Sequence, residues 1–587
     1  MVIIKISMKR SFILPAILLL SCVTAQANVV SQEKARTVAE RFLHVDRTRA
    51  ASGGLTLLWD GHDAGDKWTR AGEEPLLYVF TRPGGGWVIV SGEDAIEPVI
   101  AYSYHGNFEV KDMPDNLQAV FTNLKNDIRM ARASGRKGNA AEWAQAMVET
   151  RASDTIPGAV LLHTASYNQG DPYNRKCPMV DGKRAIAGCC AIAQAIIYEY
   201  HHYPKAGTGT LKGVSRTGYT VPNITLGYEY DWDNILKSYK SGKFNDAQAD
   251  AIATLVRDIA IMGESYFSPT STGSYADMMC NRARTYFKYS KNAYRINHSI
   301  YSDAEWFALL KKDIDAGLPM NYASSGHSYV CDGYDSRGYV HFNYGWGGTS
   351  DGYYNISGKT EYSCIVNFKP QPDDDGVSGN VYLTDHYIYH GIYNPDGVQI
   401  SKGSQFNLKI GYIANLGFDA YHFDWVLAHV DKDNNIKEFI SEPKKTTLEY
   451  KATTSSAKVP CSCNADVYLG DKVKAYYRTS GSDSEWIPMA FNRDAGVSNG
   501  ELAMTGAPLE EVTSFKYDRL SKRMVVTTSK DADFRLLTAA GEKVGEGVSD
   551  NSGVITIDGT KLQSGDYTIE LSHKAYIDVK KISFRIR

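Results

Sequence analysis

The chain has 587 residues, 43% hydrophobic and 22% charged, with 64 Lys+Arg against 67 Asp+Glu and a net charge of −3. This is ordinary globular composition, enough for about four domains at ~150 residues each. It has neither a nucleic-acid binder's basic footprint nor an acidic tail for a polycation, and it excludes a coiled coil, a membrane bundle and a disordered chain. Nine Cys are too sparse for a disulfide framework, while 39 Tyr and 51 Gly lean towards β-structure.

The N-terminus reads as an export signal. Lys5, Lys9 and Arg10 precede the apolar run 12–20, and Ala25-Gln26-Ala27 is a small-x-small cleavage site. The run is too short to span a bilayer core of about 30 Å. Met8 is an alternative start. Leu19-Leu20-Ser21-Cys22 also reads as a lipoprotein box, so signal cleavage after Ala27 and lipidation of Cys22 both stay open. Either route places the protein outside the cytoplasm, secreted or on the bacterial outer surface. The spacing then predicts a helix over 29–43 capped by Ser31, strands at 76–80 and 86–90, and a second helix over 115–133. Residues 134–158 are small, polar and basic, and read as an exposed linker. Helices are expected at 189–202 and 246–264, and strands at 327–334 and 338–344. Residues 371–376 form a second polar boundary. Beyond it, alternating apolar residues and regular turns predict β-sandwiches, with a last break near 505–509. The expected fold class is α+β with all-β C-terminal modules.

Three stretches carry chemistry. In Ala187-Gly188-Cys189-Cys190-Ala191-Ile192-Ala193-Gln194 a thiol follows a glycine at the start of an apolar helix. The helix N-terminus favours the thiolate, which is what a nucleophile needs; two buried structural cysteines are the plain alternative. Gly326-His327 opens a strand, and Asn343-Tyr344-Gly345-Trp346-Gly347-Gly348 follows. An imidazole can take the thiol's proton, an amide such as Asn343 can orient the ring, and Trp346 can shield that bond. Gln169, in Tyr167-Asn168-Gln169-Gly170-Asp171-Pro172-Tyr173-Asn174, can donate to an oxyanion beside the Cys189 N–H. No metal or cofactor is expected. His201 and His202 cannot share a helix face, and Cys461-Ser462-Cys463 has no second Cys/His pair at zinc spacing. Cys177, Cys280, Cys331 and Cys364 read as buried or singly paired.

Taken in order, these motifs resemble the streptopain family of papain-like cysteine peptidases. Gly86-Trp87-Val88-Ile89-Val90-Ser91-Gly92-Glu93 and Pro98-Val99-Ile100-Ala101-Tyr102-Ser103 are similar to that family's propeptide. The resemblance covers roughly 30–370. It implies a papain-like two-subdomain body with Cys189 as nucleophile, His327 as general base, Gln169 in the oxyanion hole, and Asn343 with Trp346 around the histidine. Two positions depart from the family pattern: Cys190 stands where Val is usual, and Tyr344 where Trp follows the Asn. The resemblance further implies protein or peptide substrates and an intramolecular propeptide inhibitor that covers the cleft. Release would follow cleavage in the linker, at Lys137 or Arg151. Gly345–Gly352 and the loop Ser268–Tyr275 are expected to border the cleft. The domain reading is 1–27 signal, 28–150 propeptide, 151–370 peptidase, 375–503 Ig-like sandwich and 507–587 terminal β-module. The terminal module resembles a type IX secretion sorting domain, the alternative being an accessory sandwich. Outer-membrane attachment would then run through Cys22 or this module. The rival function is an inactive surface adhesin on a peptidase fold; an amidase or transpeptidase is a third reading.

Overall fold

The computed structural model describes residues 28–43, 54–61, 74–110, 115–133, 138–148, 158–371 (apart from 241, 325 and 360) and, in interrupted stretches, 379–586. The export-signal reading, Cys22, Lys137 and Arg151 lie outside the described residues.

Helix α1 (Gln32–Phe42) begins where Ser31 accepts a hydrogen bond from the Lys34 N–H, and it buries Ala35, Val38 and Ala39. It packs on strands β2 (Leu77–Thr81) and β3 (Trp87–Ser91), which lie between β1 (Thr56–Trp59) and β4 (Val99–Ser103) in one antiparallel run. Helix α2 (Asp115–Ala133) follows as expected. The expected linker contains α3 (Ala140–Ala146) instead. Its Trp143 is buried in the α1–sheet core and donates Nε1–H to the Ile96 carbonyl. One indole burying its apolar body is enough to hold a short helix that composition alone reads as exposed.

The body from 158 to 371 has a helical side and a sheet side. Helix α4 (Cys189–His201) is buried over Cys189–Glu199, as an apolar-all-round helix must be. It packs against α5 (Asp246–Met262), α6 (Ala276–Tyr286) and the sheet. An Asn245/Gln248 capping box starts α5. Helix α7 (Asp303–Asp315), which starts at a Ser302/Glu305 capping box, packs on the sheet. The strands here are β5 (Tyr294–Asn297), β6 (Met320–Ser324), β7 (His327–Tyr334), β8 (Val340–Asn343), β9 (Gly352–Tyr354) and β10 (Ser363–Val366). They continue the N-terminal sheet in the order β1-β2-β3-β4-β9-β8-β7-β6-β10-β5, and the short strand Val160–Leu161 pairs with β7. The join is β4 to β9, with Tyr102 opposite Tyr353 and Ala101 opposite Tyr354. The N-terminal module is thus docked through main-chain pairing, not merely laid on the surface.

From 379 onward the described elements are strands and one 3₁₀ turn, forming sandwiches over two separate cores. The first sandwich is fastened to the body. Phe418 inserts into the helical-side core, and Arg284 pairs with Asp419. Tyr450 Oη and Lys451 Nζ each donate to Asp277 at 2.7 Å. Among the described residues no helix is long and apolar enough to cross a membrane.

Candidate active site

Cys189 is the first residue of α4, so its N–H belongs to the turn that lacks intrahelical partners. Gly188 before it has φ +90°, and a Cβ there would stand 2.8 Å from the Thr272 carbonyl oxygen. Only glycine lets the chain enter the helix at this angle and this close to the neighbouring loop. Cys189 is buried and lines a cavity of about 560 Å³. The adjacent Cys190 thiol and the His327 imidazole hold the Cys189 thiol well below its ordinary value, against burial that pushes it up. Cys190 moves the other way, pushed well up by its contact with Cys189 and by burial. Its Sγ lies 3.2 Å from the Ser274 carbonyl oxygen, to which it donates.

His327 opens β7 and lines the same cavity. Its Nε2 is 3.2 Å from the Tyr344 carbonyl oxygen. A carbonyl can only accept, so Nε2 carries the proton and Nδ1 presents its lone pair. Nδ1 is buried with no hydrogen-bond partner. The imidazole lies among near-parallel rings: Tyr329 at 5.5 Å, Trp346 at 5.9 Å and Tyr344 at 6.0 Å, centroid to centroid. Gln169 is buried on the cavity wall, and its Nε2 also has no partner. Its carbonyl accepts the Ala187 N–H at 2.9 Å, which ties the Gln169 backbone to the segment entering α4.

Asn343 is placed differently from expectation. Its Nδ2 donates to Thr164 Oγ1 at 3.0 Å and the Ala165 carbonyl at 2.9 Å, and its Oδ1 accepts the Gly345 N–H at 3.1 Å. Both amide hydrogens are therefore used away from His327. Asn343 acts one step back, bracing the Tyr344–Gly345 peptide whose carbonyl holds the ring. The opposite wall is the loop Thr270–Tyr275, as expected. The Gly345–Gly352 stretch, expected at the cleft, is not among the described lining residues. It packs behind His327, with the Gly347 N–H donating to the Tyr167 carbonyl at 2.7 Å. The N-terminal module touches this stretch, where the Ser350 N–H donates to the Asn107 carbonyl, and supplies no described residue of the cavity wall.

Residues 167–354 match the Peptidase C10 family, and residues 27–128 match the Spi protease inhibitor family. The central part of the chain, which holds Cys189 and His327, is thus similar to the Peptidase C10 family. The chain is 28% identical over 403 residues to the thiol protease/hemagglutinin PrtT of Porphyromonas gingivalis, covering 66% of this chain and 44% of that protein. It is 29% identical over 301 residues to streptopain of Streptococcus pyogenes, covering 48% of this chain and 73% of the relative. The chain therefore spans less than half the length of the first relative and about three quarters of the second. Among solved structures, a Prevotella intermedia prointerpain A fragment is 25% identical, with a TM-score of 0.45, over 55% of this chain and all of that one. Active interpain A is 27% identical, with a TM-score of 0.33, over 38% of this chain and 99% of that one.

Several residues of this candidate site carry no local sequence signal. The acceptor for His327 is the Tyr344 carbonyl, a backbone atom that any residue supplies. The Tyr344 N–H in turn donates to Asp351 at 2.9 Å. Behind the cavity a buried polar chain links the two sides. Ser328 Oγ donates to Asn321 Oδ1 at 2.7 Å, and Asn321 Nδ2 donates to Gln194 Oε1 of α4 at 3.3 Å. The eight cysteines from Cys177 onward are free thiols, all buried.

Proposed function

We propose that this chain is an exported cysteine endopeptidase made as a self-inhibited zymogen, cleaving protein substrates through an acyl-enzyme on Cys189. One observation carries the reading. A helix-start thiol held low, an imidazole nitrogen without a hydrogen-bond partner and an amide N–H without one all meet at a single cavity. Unpaired buried donors and acceptors are costly, and they cluster where a reacting group will complete them.

In this reading His327 Nδ1 takes the Cys189 proton and the thiolate Sγ attacks the scissile carbonyl carbon. As the C–S bond forms, the carbonyl oxygen gains the negative charge, which the Cys189 N–H and the Gln169 Nε2–H receive. The imidazolium then protonates the leaving amine as the C–N bond breaks. A water, deprotonated by His327, attacks the thioester and restores the thiol. Tyr344 O keeps the ring in the required tautomer throughout, and Trp346 covers one of its faces. Asn343 positions Tyr344. Inhibition by the N-terminal module is supported by its match to the inhibitor family and by its β4–β9 docking beside the Gly-rich loop. Release by cleavage near Lys137 or Arg151 follows from this reading, as does surface attachment through Cys22 or the terminal β-module.

The test is self-processing. Purified full-length protein incubated with reductant sheds an N-terminal fragment and gains activity on a denatured protein substrate. The Cys189→Ala chain does neither, but is cut when active wild type is added. A wild-type chain that does not process itself, and that stays inactive after an unrelated protease has removed its N-terminal module, would sink the proposal and favour an inactive binding protein.

A further inference from the structure

The sandwich that follows residue 379 holds a ligand-type cluster outside the candidate active site. His429 lies near the end of strand Tyr421–Val430, directly opposite Glu438 of strand Ile436–Phe439. Directly opposed residues share a face of the sheet. The register slips between His429 and Val430, leaving Lys437 out of register, and such bulges re-aim side chains. Cys463 follows strand Ala457–Ser462. Its backbone is clamped on both sides: its N–H donates to the Ser404 carbonyl at 3.0 Å, and its carbonyl accepts the Gly403 N–H at 2.7 Å.

His429 Nδ1 is 3.5 Å from Glu438 Oε1 and 3.9 Å from Cys463 Sγ, and the three ligand atoms all lie within 4.8 Å of one another. Around a tetrahedral zinc ion, ligand atoms at ordinary bond lengths stand about 3.3–3.6 Å apart. The His429–Glu438 separation already matches that spacing, and Cys463 Sγ stands a few tenths of an ångström further from His429. The imidazole is also presented correctly. Its Nε2 meets Asp471 Oδ2 at 2.7 Å, and a carboxylate accepts, so the Nδ1 lone pair is turned into the cluster. Lys437 Nζ pairs with Asp471 at 2.8 Å and offsets that charge. A Cys463 thiolate with the Glu438 carboxylate then balances a divalent cation. His429 and Cys463 are fully buried, and the adjoining Asn464 and Asp466 are exposed, giving a short path for entry.

We propose that His429 Nδ1, a Glu438 carboxylate oxygen and Cys463 Sγ bind one zinc-class divalent ion, with solvent in the fourth position and Asp471 orienting the histidine. Imidazole and thiolate together select a transition metal over calcium or magnesium. The ion would tie three chain segments at one end of the sandwich. Local spacing does not reveal it, because the ligands come from separate strands with no paired Cys/His motif. The competing arrangement has no ion: a doubly protonated His429 bridges Asp471 and Glu438, and the Cys463 thiol donates to the Ala465 carbonyl, 3.4 Å away. In that case added zinc finds no site. Because the ion must displace the Cys463 proton, affinity is expected to fall as pH is lowered.

The experiment uses the full chain carrying Cys189→Ala, without a polyhistidine tag, so that the candidate catalytic thiol offers no competing ligand. After exposure to zinc and dialysis, elemental analysis is expected to give one zinc per chain. Cobalt is expected to give an intense thiolate charge-transfer band in the near ultraviolet, lost in the added Cys463→Ser variant. Asp471→Asn is expected to lower zinc affinity about 10- to 100-fold. No retained zinc, or a cobalt spectrum unchanged by Cys463→Ser, overturns the site. Should Cys463→Ser fail to fold, the Cys189→Ala chain decides alone. Its thermal unfolding must shift up with zinc and down with chelator, and no shift in either direction overturns the proposal.

Discussion

Cys189 and Cys190 are chemically identical neighbours with opposite fates, and the difference comes from what surrounds each sulfur. Cys189 begins the helix beside His327 and is held low; Cys190 donates to Ser274 O and is pushed up. Burial likewise pushes up Cys280, Cys331 and Cys364. A thiol whose value is depressed is a thiolate at any pH above that depressed value. Alkylation of Cys189 by iodoacetamide should therefore stay fast well below the ordinary thiol value of about 9 and slow only as acid passes through the lowered one. The other cysteines should remain unlabelled in the folded chain. Peptide mapping after alkylation across a pH series checks this, and a Cys189 profile that rises only near pH ~9 would refute it. Gln169→Ala removes one oxyanion donor and should lower kcat about 10²- to 10³-fold with KM little changed, measured on a peptide substrate. That Cys189, His327 and Gln169 share a site was legible from the order of their motifs and the family resemblance; a glycine-led helix and a glycine-led strand supported the first two, while the Gln169 stretch alone reads as a polar loop. The support for His327 was not. Sequence proximity pointed to the Asn343 amide, whereas the ring bonds the Tyr344 backbone and both Asn343 hydrogens go to Thr164 and Ala165.

Helix α4 sets the site because its entry is fixed by Gly188. In Gly188→Ala the new methyl would meet Thr272 O at 2.8 Å and Thr272 Cγ2 at 2.9 Å, on a backbone with φ +90°. The strained φ alone costs about 1–3 kcal/mol, and the methyl also pushes the Thr270–Tyr275 wall. The variant should unfold at lower urea and lose most of its activity, whereas Ala187→Gly should keep its activity. Equal urea midpoints for wild type and Gly188→Ala would contradict this account of the helix entry. Long periodic elements such as α2, α4 and α5 were legible from spacing. Helix α3 was not, because its single buried Trp143 sits in a stretch of small polar residues. Helix α6 lacks a side-chain cap bond, which removes the usual start signal. Helix α7 was not among the expected helices, although its Ser302-x-x-Glu305 box is a start signal that the sequence offers.

Among the described residues, two long-range joins that no local pattern announces tie the N-terminal strands and the first sandwich to the body. One is the β4–β9 pairing, whose partners are about 250 residues apart. The other is the seat of the first sandwich on the helical side, where Phe418 is buried and Asp277, a cavity-wall residue, takes Tyr450 and Lys451. The sandwich is thus part of the peptidase body's packing. Phe418→Ala should destabilise the body by about 3–5 kcal/mol, read by calorimetry as a lowered transition of the body itself. A body transition left unchanged would show that the sandwich is only tethered. All these joins converge on one claim: that Cys189, presented by this assembly, is the nucleophile. The most direct measurement is to treat the chain, after release of its N-terminal module, with an epoxide inhibitor of thiol peptidases and to map the adduct. The account predicts one adduct, on Cys189, with activity lost in proportion to labelling. An adduct on Cys190, or full activity in a Cys189→Ala chain, would contradict it.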